Sequence, residues 1–170
     1  MNTILEKLPS CLAKVKKELY DPCDFHFTNF FLEEESSEYE ACSFQLETFQ
    51  ITCRAAKITP KKIGQFVTIW KRNSAGITTP FHELDAFDFI VINVQKENQL
   101  GQFVFPKSVL IQKRIVATEL RDGKRGIRVY LSWDTPTSKQ AIKTQAWQLQ
   151  YFLPIAAQTN DLNEVNRLYF

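Results

Sequence analysis

Residues 87–94, Phe-Asp-Phe-Ile-Val-Ile-Asn-Val, constrain this chain more than any other stretch. Apart from Asp88 and Asn93 the run is apolar, and Ile and Val dominate it. A strand with one wet face alternates apolar and polar residues. A run without that alternation, rich in β-branched residues, is a strand covered on both faces. A chain built around such a strand must supply a layer on each side of its sheet. The longest uninterrupted apolar stretch, Phe89 to Ile92, is far shorter than the roughly 18 residues a membrane-spanning helix needs.

The remaining elements follow from period and punctuation. Ile4, Leu5, Leu8, Leu12 and Val15 repeat at helical spacing and predict an amphipathic helix over 3–19, interrupted at Pro9. Residues 21–37 read as irregular. Strands are predicted over 39–46 and 49–56, joined tightly at Glu47-Thr48, and over 65–71, with Phe66, Thr68 and Trp70 on one face. A loop at 74–84 leads to the apolar run. Gly101 to Phe105 is the next strand, and Pro106 opens a short helix over 107–112. A charged loop (118–125), a strand (127–132), a long helix after Pro136 (137–152) and a short polar tail (154–170) complete the chain. Gly-Gln-Phe-Val occurs at 64–67 and again at 101–104, with no wider period. Helices are too few for βαβ alternation. The 170 residues therefore predict one α+β domain, a mixed and largely antiparallel sheet flanked by helices.

Charge divides that domain. Net charge is +2, but residues 1–53 carry −6, residues 54–143 carry +9 and residues 144–170 carry −1. An acidic N-terminal third thus precedes a basic core over 54–153. Arg54, Lys57, Lys61, Lys62, Lys71 and Arg72 follow one another with no acid between them. A second cluster runs from Lys107 through Lys113, Lys124 and Arg125 to Arg128. Clustered cations attract phosphate and release its counterions, which points to a polyanion, DNA or RNA. Two solvated faces of a neutral protein are the plain alternative. The acidic run Glu33, Glu34, Glu35, Glu38 and Glu40 is either a surface loop or a cover over the basic face.

Four Cys (11, 23, 42, 53) form no C-x-x-C pair and have no neighbouring His, which predicts reduced, buried thiols in a cytoplasmic protein. The first 20 residues lack the apolar core of a secretory signal. Two His exclude a His-rich metal site. His82, Glu83, Asp85 and Asp88 mark either a cation site or a polar loop leading into the buried strand.

The predicted order, three strands, a helix and a strand, is that of a restriction-endonuclease-like core. Such nucleases place an Asp at the start of the second strand and Glu-x-Lys or Gln-x-Lys on the third. Asp88 fits the first position as metal ligand and Gln102 the second. Val104 stands where the Lys belongs, so Lys107 or Lys71 would supply the amine beside the scissile phosphate. No cofactor is fixed by the sequence; a cleaving version takes Mg²⁺ or Mn²⁺ here. Phosphate contacts are expected from Arg54, Lys57, Lys61, Lys62, Lys124, Arg128, Lys139 and Lys143. On the last helix Lys139, Lys143, Trp147 and Tyr151 share one face at i, i+4 spacing. Trp70 or Trp147 would stack on bases and Gln145 would bond a base edge, unless these side chains only pack on the sheet. A pocket for a small anionic ligand such as a nucleotide is the second functional reading, and an interaction protein without catalysis the third.

The segment Arg54-Ala-Ala-Lys-Ile-Thr-Pro-Lys-Lys-Ile-Gly-Gln-Phe-Val-Thr-Ile-Trp-Lys-Arg72 resembles the signature of the MepB family. So do Phe87-Asp-Phe89, Gly101 to Ser108, Gly123 to Tyr130, and Lys139 to Gln148. The resemblance covers about residues 10–153, and Leu131 departs from it by standing where Pro is expected. It implies a small bacterial cytosolic protein and brings no catalytic residues with it.

Overall fold

A computed structural model describes residues 8–156 and 161–170. Helix α1 (Ser10–Val15) starts directly after Pro9 and continues as a π-helical turn, Lys16–Tyr20. Ile4 and Leu5 of the predicted helix lie outside the described residues. Strands β1 (Phe27–Leu32), β2 (Cys42–Leu46) and β3 (Phe49–Ala55) follow. Four short strands come next: β4 (Lys57–Ile58), β5 (Gln65–Thr68), β6 (Trp70–Arg72) and β7 (Thr78–Pro80). The apolar run is β8 (Phe89–Lys96), which turns at Glu97 into β9 (Gln99–Pro106). Helix α2 (Lys107–Gln112), β10 (Gly126–Val129), α3 (Lys139–Gln148), β11 (Phe152–Ile155) and α4 (Leu162–Tyr169) complete the order.

The main sheet has six strands in the order β1-β2-β3-β8-β9-β11, and within it β3 and β8 pair in parallel while the other neighbours are antiparallel. As its composition predicts, β8 is buried on both sides. Phe89 and Val91 pack with Leu12, Val15 and Leu19 and with Val165 and Leu168 of α4. Ile90, Ile92 and Val94 pack on the opposite face with Val67, Ile69, Phe105 and Val129. Each such side chain contributes on the order of 1.5–3 kcal/mol by leaving water. The α+β class and the mixed, largely antiparallel sheet stand.

Three local expectations are corrected. Residues 27–32 form an edge strand, because Phe-rich residues pair with β2 across an irregularity at Asn29, whose φ is 54°. The predicted strand 65–71 splits. Its first half joins β4 and β10 in a separate three-stranded sheet, while Trp70–Arg72 pairs with β7. The strands beside the β8–β9 hairpin are β3 and β11, while β5 and β10 belong to the smaller sheet. The expected polar tail is also structural. Phe152–Ile155 extends the sheet along β9, and Asp161 caps α4 by accepting from Asn163 N at 3.0 Å and Glu164 N at 3.4 Å. Val165, Leu168 and Tyr169, at helical spacing, bury the inner face of that helix.

All four Cys are free thiols; Cys11, Cys42 and Cys53 are buried as expected, whereas Cys23 is only half-buried. Burial, and secondarily Glu40, pushes the Cys11 thiol up to about 12. Burial also holds the Tyr20 and Tyr169 hydroxyls above the ordinary phenol range. In the unfolded chain thiols ionise near ~8.5 and phenols near ~10. Their stabilising share is thus full below those values and lost as pH rises through the raised folded ones. The urea midpoint is expected to fall steadily from about pH 8.5 upward. Cys11→Ala should make that fall shallower.

Candidate functional site

The acidic run of residues 33–40 settles on the first basic cluster. Arg54 is fully buried, donates from Nη1 to the Cys53 carbonyl at 2.9 Å, and lies 5.6 Å from the centre of the Phe81 ring. Glu33 Oε2 is 2.9 Å from its Nη2, close enough for an ion pair although not aligned as a hydrogen bond. Lys57 Nζ lies 3.8 Å from Glu38 and 5.0 Å from the Tyr39 ring centre. Arg72 donates to Glu35 at 2.5 Å and covers Trp70 at 5.4 Å. The segment is held in place by the Thr68 hydroxyl on Ser36, 2.8 Å away. Arg54, Lys57 and Trp70, expected to contact phosphates or bases, are instead engaged within the protein. The acidic run covers this part of the basic face.

The cations left over converge elsewhere. Between the β10–β5–β4 sheet and α3 runs a cleft of two joined lobes, about 490 and 250 Å³. Five cations line it: Lys61, Lys62, Lys113, Lys124 and Arg128. No Asp or Glu is among its lining residues, and none of the five forms a salt bridge among the described residues. The two basic clusters therefore share this face in part. Helix α3 supplies the opposite wall through Ala141, Thr144 and Gln148. This i, i+3, i+7 stripe faces β10 because Gln148 ties the two together. Its Oε1 accepts from Tyr130 N at 2.9 Å, and its Nε2 donates to the Arg128 carbonyl at 3.0 Å.

Lys61, Lys62, Lys124, Arg128 and Trp147 were legible as site candidates and meet here. Lys139 and Lys143 are exposed on α3 but lie outside the cleft lining, since the helix turns them away from that stripe. Gln145 donates to the Leu131 and Asp134 carbonyls at 2.8 and 2.9 Å, pinning a loop and not offering itself to a base. Tyr130, Lys113 and Thr144 also line the cleft and were missed as site residues. Lys113 was visible only as one more cation in its cluster; Tyr130 carried no signal beyond its place at the end of a strand.

The residues proposed for metal and cleavage are not brought together. Gln102 is fully buried, with Nε2 donating to the Tyr20 hydroxyl at 2.9 Å and to Asn93 Oδ1 at 2.8 Å, while Tyr169 donates to its Oε1. Across the hairpin Gln102 faces Asn93, five residues along β8 from Asp88, or about 17 Å at ~3.3 Å per residue. Asp88 is exposed and accepts from Gln50 N at 2.8 Å, fastening the start of β8 to β3. The pair does not fit one metal ion, so the Mg²⁺ or Mn²⁺ site expected at Asp88 is not supported. The described residues hold no group of three or more His, Cys, Asp or Glu side chains placed to bind one. Lys71 pairs with Asp85, and Lys107 donates to the Glu83 carbonyl at 3.0 Å and to that of Asp85, with its Nζ 4.6 Å from the Phe87 ring centre. The loop 82–85 is thus a self-bonded turn into β8, and neither amine faces the cleft.

The MepB-like family signature matches residues 33–154, which span the cleft, the core on the β10 side of the main sheet and about half of the core on its other face. The chain belongs to the MepB-like family. Its fold is similar to that in "Crystal Structure of MepB", with a TM-score of 0.75, 31% identity, and coverage of 86% of this chain and 97% of that one. "The structure of a bacterial homing endonuclease: I-Ssp6803I" aligns with a TM-score of 0.47 and 17% identity, over 88% of this MepB-like chain and 93% of that one. Among proteins of curated function, none matches. No described helix is long and apolar enough to cross a membrane.

Proposed function

We propose that this MepB-like protein binds nucleic acid in the cleft between β10 and α3. The observation that carries the reading is the convergence of five cations on one concave surface without a carboxylate among its lining residues. Lys61, Lys62, Lys113, Lys124 and Arg128 contact phosphates, and like-charged side chains held this close gain most from a polyanion that releases counterions on binding. The ion pairs that Glu33, Glu35 and Glu38 make on the neighbouring cluster confine the positive field to the cleft. The reading is one of binding; no residues are assigned to cleavage.

The test is binding of fluorescent oligonucleotides across a salt series, with EDTA present. Micromolar binding is expected, with log K falling against log salt at a slope of about −3 to −4 for a single strand that engages all five cations. A mononucleotide that binds as well as the oligomer, with a shallow slope, would replace this reading by the small-anion pocket. No binding at low salt would overturn both.

A further inference from the structure

Within that nucleic-acid reading, on which this rests, we infer that Tyr130 is a stacking platform for one unpaired base and that the cleft takes single strands in preference to duplexes. Tyr130 borders both lobes of the cleft. Its ring lies against bare backbone: a Cβ on Gly64 would stand 2.9 Å from its Cδ1 and 3.0 Å from its Cε1. Gly64 also has φ +83°, a conformation that side-chain-bearing residues rarely adopt, so glycine is required there twice over. No other aromatic ring pairs with Tyr130 among the described residues. Its main chain is fixed by the Gln148 amide, 2.9 Å from its N.

Arg128 sits two residues back, on β10, and donates to the Ile63 and Gly64 carbonyls at 3.2 and 3.3 Å. Those bonds hold a guanidinium beside the ring, at the junction of the lobes. A base on Tyr130 in the 490 Å³ lobe therefore places its backbone phosphate near Arg128, Lys61 and Lys62 around the smaller one. Trp147, the stacker suggested by the sequence, is already engaged by Phe105 at 5.3 Å and by Lys113 Nζ at 5.3 Å. The shape favours a single strand over a duplex. A major groove is read by a protruding helix or ribbon, whereas here α3 is one wall of a concavity. Concave, cation-rimmed surfaces with an aromatic floor suit strands whose bases are splayed out.

The experiment compares a labelled 12-mer single strand with its duplex, in EDTA, for the wild type, Tyr130→Phe and Tyr130→Leu. The single strand should bind about tenfold tighter, and Tyr130→Leu should remove about tenfold of that affinity with the salt slope unchanged, since no phosphate contact is lost. Tyr130→Phe should keep it. A 2-aminopurine placed in the strand should be quenched on binding the wild type and not Tyr130→Leu. Equal affinity for strand and duplex, parallel loss of both in Tyr130→Leu, or no quenching by the wild type would overturn the inference while leaving the cleft reading standing. Absence of any oligonucleotide binding by the wild type would remove the cleft reading itself.

Discussion

Gln102→Glu is expected to cost about 3 kcal/mol or more of a stability that for such a domain is about 5–15 kcal/mol. The reason is a closed ring of hydrogen bonds in the core. Gln102 Nε2 donates to the Tyr20 hydroxyl, and Tyr169 spends its only hydrogen on Gln102 Oε1. The 3.0 Å contact between the two hydroxyls must then be donated by Tyr20. A carboxylate at 102 loses the donor that serves both Tyr20 and Asn93 Oδ1, and it brings a charge into a site with no exposure to water. A buried carboxylate without a partner is either neutralised or expelled, and both routes favour unfolding. The measurement is urea denaturation at neutral pH with and without Mg²⁺. The endonuclease-like reading of the sequence makes the opposite prediction, because there the added carboxylate improves a metal site and Mg²⁺ raises the midpoint. A Mg²⁺-dependent rise that Asp88→Ala then abolishes would restore the paired metal site. A fall with no response to Mg²⁺ is the result expected.

What was legible in the sequence separates by the range of the interaction. β8 was legible because burial on two faces is written into consecutive residues. The hairpin to β9 and the start of α2 after Pro106 were legible because turns and proline act locally. Which strands lie beside the hairpin was not, since pairing depends on residues far along the chain. Thr68 and Gly126 meet across the small sheet without any local mark of it. The cleft was half legible for the same reason. Clusters of cations show in the sequence, but nothing local shows that Glu33 would reach Arg54 or that Glu35 would reach Arg72. Gln102 misled because a buried amide in a hydrogen-bond ring and a ligand at a strand position are the same letter. The helix α4 could have been found from Asp161 and the Val165, Leu168, Tyr169 spacing, which the polar residues between them masked.

Lys62→Gln, Lys124→Gln and Arg128→Gln combined are expected to weaken single-strand binding about 100-fold at low salt. Partly exposed charge contacts contribute up to about 1 kcal/mol each, and three make about two decades. The salt slope should become shallower by about 2, at roughly 0.7 per lost phosphate contact. The loss of slope matters more than the loss of affinity, because misfolding lowers active concentration and leaves the slope alone. Two comparisons fix the path of the strand. Lys139→Gln with Lys143→Gln should bind like the wild type, since both lysines stand outside the cleft; a loss equal to that of the triple variant would move the interface onto the exposed side of α3. Glu35→Gln with Glu38→Gln should act in the opposite direction, releasing Arg72 and Lys57 from their ion pairs and steepening the slope. If the acidic variant leaves affinity and slope unchanged while the triple variant loses both, the cleft is the interface and the ion pairs around it serve the fold alone. If the acidic variant binds more tightly, residues 33–40 also set how much of the basic surface a strand can use.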